Sequence, residues 1–129
     1  MYCLDTDIII SVLRGDKELK KKVESIRTQD VIFTTITLCE LFQGAYKAKD
    51  TVKALDLVYE ILRNYKLLSL DTKSAEIFGM DFNKLEKEGK KTQDFDLLIA
   101  GIAKANNLIL VTRNKRHFEN IPDLRLEGW

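Results

Sequence analysis

Short apolar runs alternate with longer amphipathic ones along this chain, and that alternation constrains the fold more than any other feature. Four runs have strand length: Tyr2–Leu4, Val31–Thr35, Leu67–Leu70 and Leu108–Thr112, with Leu124–Leu126 as a weaker fifth. They are too short for helices, and the Val31 and Leu108 runs carry β-branched residues that suit a pleated surface. Helical patterns fill the intervals: Thr6–Arg14, Asp16–Arg27, Ile36–Ala48, Asp50–Tyr65, Lys73–Lys87 and Phe95–Asn106. Within the fourth, Val52, Leu55, Val58, Tyr59, Leu62 and Tyr65 share one face behind an Asp at the N-cap position. Gly15 separates the first two helices, Gly89 can end the fifth, and Asn106-Asn107 stops the sixth. The sixth is apolar nearly all round, as a helix buried against a sheet must be. Strands alternating with helices predict an α/β fold: a three-layer α/β/α sandwich around a central, mostly parallel sheet of four to five strands. At 129 residues with one Pro and six Gly, the chain predicts a single domain over residues 1–129.

Composition excludes several classes of function. The 21 basic and 20 acidic residues are spread evenly between the two halves, so no charged tail or strongly basic half grips duplex DNA by charge alone, and any nucleic-acid binding must come from a local patch. The longest strongly apolar run of the second half, Leu97–Ala103, falls far short of the about 20 residues that span a bilayer. Met1-Tyr2-Cys3-Leu4-Asp5 has no basic leader segment and meets a carboxylate at once, which predicts a cytoplasmic protein. Cys3 and Cys39 are isolated, and two such cysteines read as reduced, buried thiols.

In a parallel α/β sheet, ligands bind outside the carboxyl ends of the strands. Asp5 falls at the end of the first strand, Glu40 in the first turns of the helix after the second, and Asp94 and Asp96 at the start of the apolar helix. Asn114 follows the fourth strand. Acids gathered at one edge repel one another unless a cation or shared protons neutralise them, and hard oxygen ligands suit Mg²⁺ or Mn²⁺. Each acid also has a purely structural reading. Asp5 can cap the first helix, Thr37-Leu38-Cys39-Glu40 has capping-box spacing, Asp94 can serve as an N-cap, and Asp96 can favour the helix dipole. Asp96 is the most telling, because it interrupts an otherwise apolar helix.

Other chemistries find less support. His117 is the sole histidine and has no Ser or Cys placed for a triad; a surface or phosphate-contact role suits it better. Ser11, Ser25, Ser69 and Ser74 lack a nucleophile elbow, and the glycines form neither a dinucleotide fingerprint nor a P-loop. Lys20-Lys21-Lys22 reads as a solvated helix face. Arg113, Lys115, Arg116 and His117 differ in that they should lie beside the acidic edge. A basic rim around an acidic centre suits a phosphodiester backbone.

These residues also resemble a known family. Leu4-Asp5-Thr6-Asp7 looks like the opening motif of PIN-domain ribonucleases, and Thr35–Ala45 is similar to their second motif, with Glu40 as its acid. Asp94-Phe95-Asp96-Leu97-Leu98-Ile99-Ala100-Gly101 matches the third, Leu110–Asn114 with His117-Phe118 resembles the fourth, and Leu124–Trp129 resembles the usual ending. The motifs run in order from end to end and are most similar to VapC-type toxins of toxin–antitoxin pairs. The resemblance implies a Mg²⁺- or Mn²⁺-dependent endoribonuclease that cuts tRNA or ribosomal RNA loops. It further implies a homodimer silenced by a small VapB-like antitoxin. By the same resemblance, Asp5, Glu40 and Asp96 are the catalytic metal ligands, with Asp94 and Asn114 as additional candidates. Thr6, Thr112 and Asn114 would orient ligands or substrate, as hydroxyl and amide groups beside a metal site commonly do. Asn114 departs from the pattern, since many members carry an acid there.

Three other readings compete: a PIN-like module that binds RNA or protein without cutting, a receiver-type phosphoacceptor built on Asp71 and Lys115, and a structural α/β interaction module. For an antitoxin, Ile36–Ala48 and Asp50–Tyr65 carry apolar residues (Leu41, Phe42, Tyr46, Tyr59, Leu62) that can form either a groove or the protein's own core.

Overall fold

A computed structural model describes residues Met1–Trp129. Five parallel strands form one sheet in the order β3-β2-β1-β4-β5: β1 (Tyr2–Leu4), β2 (Val31–Thr34), β3 (Lys66–Leu68), β4 (Ile109–Thr112) and β5 (Leu126–Gly128). Six helices cover it: α1 (Thr6–Leu13), α2 (Lys17–Glu24), α3 (Thr35–Lys47), α4 (Thr51–Asn64), α5 (Thr72–Lys87) and α6 (Asp94–Ala105). The expected three-layer sandwich is therefore present, and its sheet is wholly parallel.

Alternation along each strand divides the core in two. Cys3, Ile32 and Leu110 point to one face, where Leu85 of α5 and Leu97, Ile99, Ala100 and Ala103 of α6 cover them. Leu4, Val31, Phe33 and Val111 point to the other, against α1, α2, α3 and α4. Period-two side chains and opposite helical layers are the same fact seen from two sides.

Local chemistry sets the helix boundaries. Asp16, Thr34, Asp50 and Asp71 each accept a hydrogen bond at a helix N-terminus, from the amides of Leu19, Thr37, Lys53 and Ser74 at 2.8–3.1 Å. Gly15 (φ 99°) and Gly89 (φ 68°) take the left-handed conformation that lets α1 and α5 stop where the sequence placed the breaks.

Some expectations need correction. The third strand begins at Lys66 and ends at Leu68, because Asp71 already caps α5. The fifth is Leu126–Gly128 rather than Leu124–Leu126, since Asp123 turns with φ 57° and Leu124 packs against the core. The α3 N-cap is Thr34, which puts Glu40 in the second turn and removes the capping-box reading. Gln93, not Asp94, precedes α6, so Asp94 is not its cap. Of the two thiols only Cys3 is buried; Cys39 is exposed.

The strand order places a switch point at β1. From β1 the chain moves outward to β2 and β3 with helices on one face, then returns through α5 and α6 on the other to reach β4. Crossovers on opposite faces leave a crevice at the carboxyl ends of β1 and β4. Asp5 and Thr112 stand at its two lips.

Candidate functional site

Asp5 ends β1 and begins α1 in extended conformation, so its side chain is held at the mouth of the crevice. Its Oδ1 accepts from the Thr6 amide at 2.8 Å, and its Oδ2 lies 2.9 Å from the Thr112 hydroxyl, which is fully buried at the end of β4. Asp5 thus caps α1 and faces the crevice at once. Across the crevice, Thr6 Oγ1 donates to Glu40 Oε1 at 2.7 Å, tying α3 to the start of α1. Asp96 projects from the first turn of α6, with its Oδ2 3.2 Å from His117 Nδ1. Apart from that ring nitrogen, the buried oxygen has no partner.

Asp7 joins them, and sequence reading missed it. Its Oδ2 lies 3.1 Å from Thr112 Oγ1 and accepts from the Arg113 amide at 3.1 Å, while its Oδ1 is buried without a partner. The signal was there in the two-residue step from Asp5, which keeps both carboxylates in the opening of one helix.

Electrostatics report the crowding. Burial pushes the Asp5 carboxyl from 3.8 up to about 7; the charge of Asp7 adds to this, hydrogen bonds from Thr112 and Thr6 oppose it, and Asp96 adds a little more. Asp96 is also raised, by burial first; His117 opposes the rise, and Glu40 and Asp7 reinforce it. Acids from β1/α1, α3 and α6 therefore share one field.

Could these residues hold a divalent cation? No three His, Cys, Asp or Glu side chains are pre-gathered around one point. Hydroxyls of Thr6 and Thr112 hold the carboxylates in place, and mutual repulsion opposes closer approach. Two buried carboxylate oxygens, Asp7 Oδ1 with no partner and Asp96 Oδ2 with only the His117 ring nitrogen beside it, nevertheless form a donor set short of positive charge. Hard oxygens in that condition fit Mg²⁺ or Mn²⁺.

The remaining candidates divide. Asn114 is exposed; its amide N–H donates to Thr112 Oγ1 at 3.0 Å, and its side-chain nitrogen lies 3.0 Å from His117 Nε2. Asp94 is exposed in the first turn of α6. Arg113, Lys115, Arg116 and His117 are all exposed on the β4 side of the crevice. Arg113 is anchored by Asp16 at 2.8 Å, and the stem of Lys115 lies over Gly128. The receiver reading fails, because Asp71 follows the edge strand and is occupied in capping α5, with both the amide and hydroxyl of Ser74 donating to it.

Comparison with known proteins agrees with this architecture. The PIN domain family model matches residues 2–124. The chain is 31% identical over 128 residues to the tRNA(fMet)-specific endonuclease VapC of Salmonella typhimurium, covering 99% of this chain and 97% of that one. It is 33% identical over 129 residues to ribonuclease VapC2 of Haemophilus influenzae, with the same coverage of 99% and 97%. Among solved structures, the DNA-bound VapBC of Salmonella typhimurium superposes with a TM-score of 0.91 at 30% identity, over 99% of this chain and 97% of that one. VapBC2 of Rickettsia felis, bound to a promoter DNA fragment, gives a TM-score of 0.91 at 28% identity over 99% and 98% of the two chains. On fold, motif order and end-to-end similarity together, this chain belongs to the PIN domain family and, within it, to the VapC branch.

Proposed function

We propose that the protein is a divalent-metal-dependent endoribonuclease toxin that hydrolyses phosphodiester bonds in tRNA or rRNA loops and is held silent by a VapB-like antitoxin. The observation that carries this reading is the shared field of Asp5, Glu40 and Asp96 at the β1/β4 crevice, in a chain whose relatives are named ribonucleases. Asp5, Asp96 and Glu40 would hold Mg²⁺ or Mn²⁺. When bound, the ion supplies charge neutralisation at phosphoryl oxygens and lowers the pKa of the attacking water.

The chain's own residues do the positioning. Thr112 holds Asp5 from β4, and Thr6 holds Glu40 from α1, so neither carboxylate must be ordered when substrate arrives. Asn114, braced against Thr112, stands at the rim. The exposed Arg113, Lys115, Arg116 and His117 offer phosphate contacts on one side of the cut.

The antitoxin reading rests on a groove of about 360 Å³ between α1, α3 and α4, lined by Ile10, Leu13, Leu41, Ala45, Leu57 and Val58 and bordered by Glu40. An amphipathic segment lying there would end beside the acidic site. Of the residues whose allegiance the sequence left open, Leu41 is buried, Phe42 meets Tyr59 edge-on at 5.6 Å, and Tyr46 and Tyr59 are exposed. We further propose a homodimer acting in the cytoplasm, to be checked by light scattering and by fractionation.

The test is a quenched fluorescent RNA panel with Mg²⁺, Mn²⁺ or EDTA, run beside Asp96→Asn. Cleavage that needs metal and disappears in the variant supports the reading. Cleavage surviving EDTA or the substitution overturns it.

A further inference from the structure

Asp7 differs from the other acids of the crevice in how its two oxygens are used. Oδ2 faces the Thr112 hydroxyl and the Arg113 amide, both at 3.1 Å, which fixes the orientation of the carboxylate and clamps the end of β4 to α1. With the carboxylate so fixed, Oδ1 is buried and meets no donor. Thr112 cannot serve it, because that hydroxyl has one proton, already disputed by Asp5 and Asp7 Oδ2. A carboxylate needed only as a clamp has no reason to bury its second oxygen unpaired, since Asn would bind the same two groups without the charge.

We propose that Asp7 contributes its buried, unpartnered oxygen to divalent-cation binding alongside Asp5, while its other oxygen holds the loop that carries Arg113. This rests on the metal-dependent reading above and adds a residue to it. A fourth carboxylate also compensates locally for the neutral Asn114, whose amide N–H joins the same Thr112 hydroxyl.

The experiment titrates metal-free full-length protein with Mn²⁺ by calorimetry, comparing wild type, Asp5→Asn, Asp7→Asn and Asp56→Asn, the last an exposed carboxylate on α4. Asn at position 7 keeps one oxygen for Thr112 and Arg113, so a clamp alone would leave affinity unchanged. The expected result is a loss of about tenfold or more for Asp7→Asn, in the range seen when groups supporting a metal site are removed, with Asp56→Asn unaffected. Affinity within twofold of wild type overturns the proposal. Should Asp7→Asn not fold, the ¹³C carboxyl resonance of Asp7 in wild-type protein decides, because it must move on saturation with Mg²⁺. A stationary resonance is equally fatal. If wild type binds no Mn²⁺, the metal-dependent reading falls and takes this inference with it. If wild type binds, Asp5→Asn does not and Asp7→Asn binds normally, the inference falls alone.

Discussion

Replacing Asp5 by Asn should make the metal-free protein more stable at neutral pH, although it removes a proposed catalytic group. Asp5 is 6% exposed, and its carboxyl is raised from 3.8 to about 7 in the folded protein, by burial first and then by Asp7. Between those two values the native state holds a proton that the unfolded chain has released, so stability falls as pH rises. At about 1.4 kcal/mol per pH unit, the full interval is worth at most about 4 kcal/mol. From pH 5 to pH 8 about two units of that interval are crossed, and the loss is about 2–3 kcal/mol. Asn keeps a carbonyl oxygen to accept a hydrogen bond and carries no charge, so it escapes this loss. Urea denaturation in EDTA, followed by circular dichroism at several pH values, should show wild type and Asp5→Asn converging near pH 4 and separating above it. The gap should widen up to pH 7 and then level off. Mg²⁺ at pH 8 should narrow it by stabilising wild type alone. If the two proteins lose stability in parallel over this range, or separate toward acid, the burial and like-charge argument is wrong. Asp16 and Asp71 cannot mimic the effect. Their carboxyls are lowered, chiefly by the Leu19 amide and by Ser74 respectively, so their contributions are lost only as pH falls below the ordinary carboxylate range.

Three further outcomes follow from packing. Gly101→Ala would set a methyl 2.9 Å from the Ser74 carbonyl, a backbone atom that cannot step aside, so α5 and α6 must separate at a cost of about 1–3 kcal/mol in thermal or urea unfolding. Lys104→Met leaves Asp81, only 3% exposed, without its 2.7 Å partner and should cost about 3–5 kcal/mol, most of it recovered in the double variant Lys104→Met/Asp81→Leu. Cys39 is exposed whereas burial pushes the Cys3 thiol up to about 12, so a thiol reagent at pH 8 should label Cys39 quickly and Cys3 only on unfolding. Rapid labelling of both thiols would contradict this burial.

Elements whose identity depends on neighbours in sequence are legible in the sequence itself. The six helices and five strands each lie within a few residues of where the pattern puts them, because period-two and helical apolar spacing are local properties. The same holds for the stops at Gly15 and Gly89, where the backbone needs positive φ. Departures gather where two local explanations compete. Thr34 and Thr37 both offer a hydroxyl at the start of α3, and only the turn out of β2 decides that Thr34 is the cap. Before α6 the residue at the boundary is Gln93, which makes no side-chain cap bond, so a capping side chain is no guide to where that helix begins.

The candidate site is half legible. Position along the chain places Asp5 and Asp96 at element boundaries and Glu40 in the early turns of the helix after β2, and an acid near a boundary is worth noticing whatever the fold. Nothing local says which boundaries meet. Convergence requires β1 to lie between β2 and β4, with crossovers on opposite faces, so that α1, α3 and α6 open toward one crevice. Asp7 shows the limit most clearly. In sequence it is one more acid in the first turn of a helix, where the dipole alone would accommodate it. Only the arrival of Thr112 and Arg113 from about a hundred residues away turns it into a clamped carboxylate with one oxygen sealed from water. Secondary structure follows from short-range sterics and patterning, which the chain carries in every window. The field at the site arises from charges brought together against their own repulsion by the burial of two apolar layers, and that is a property of the whole fold.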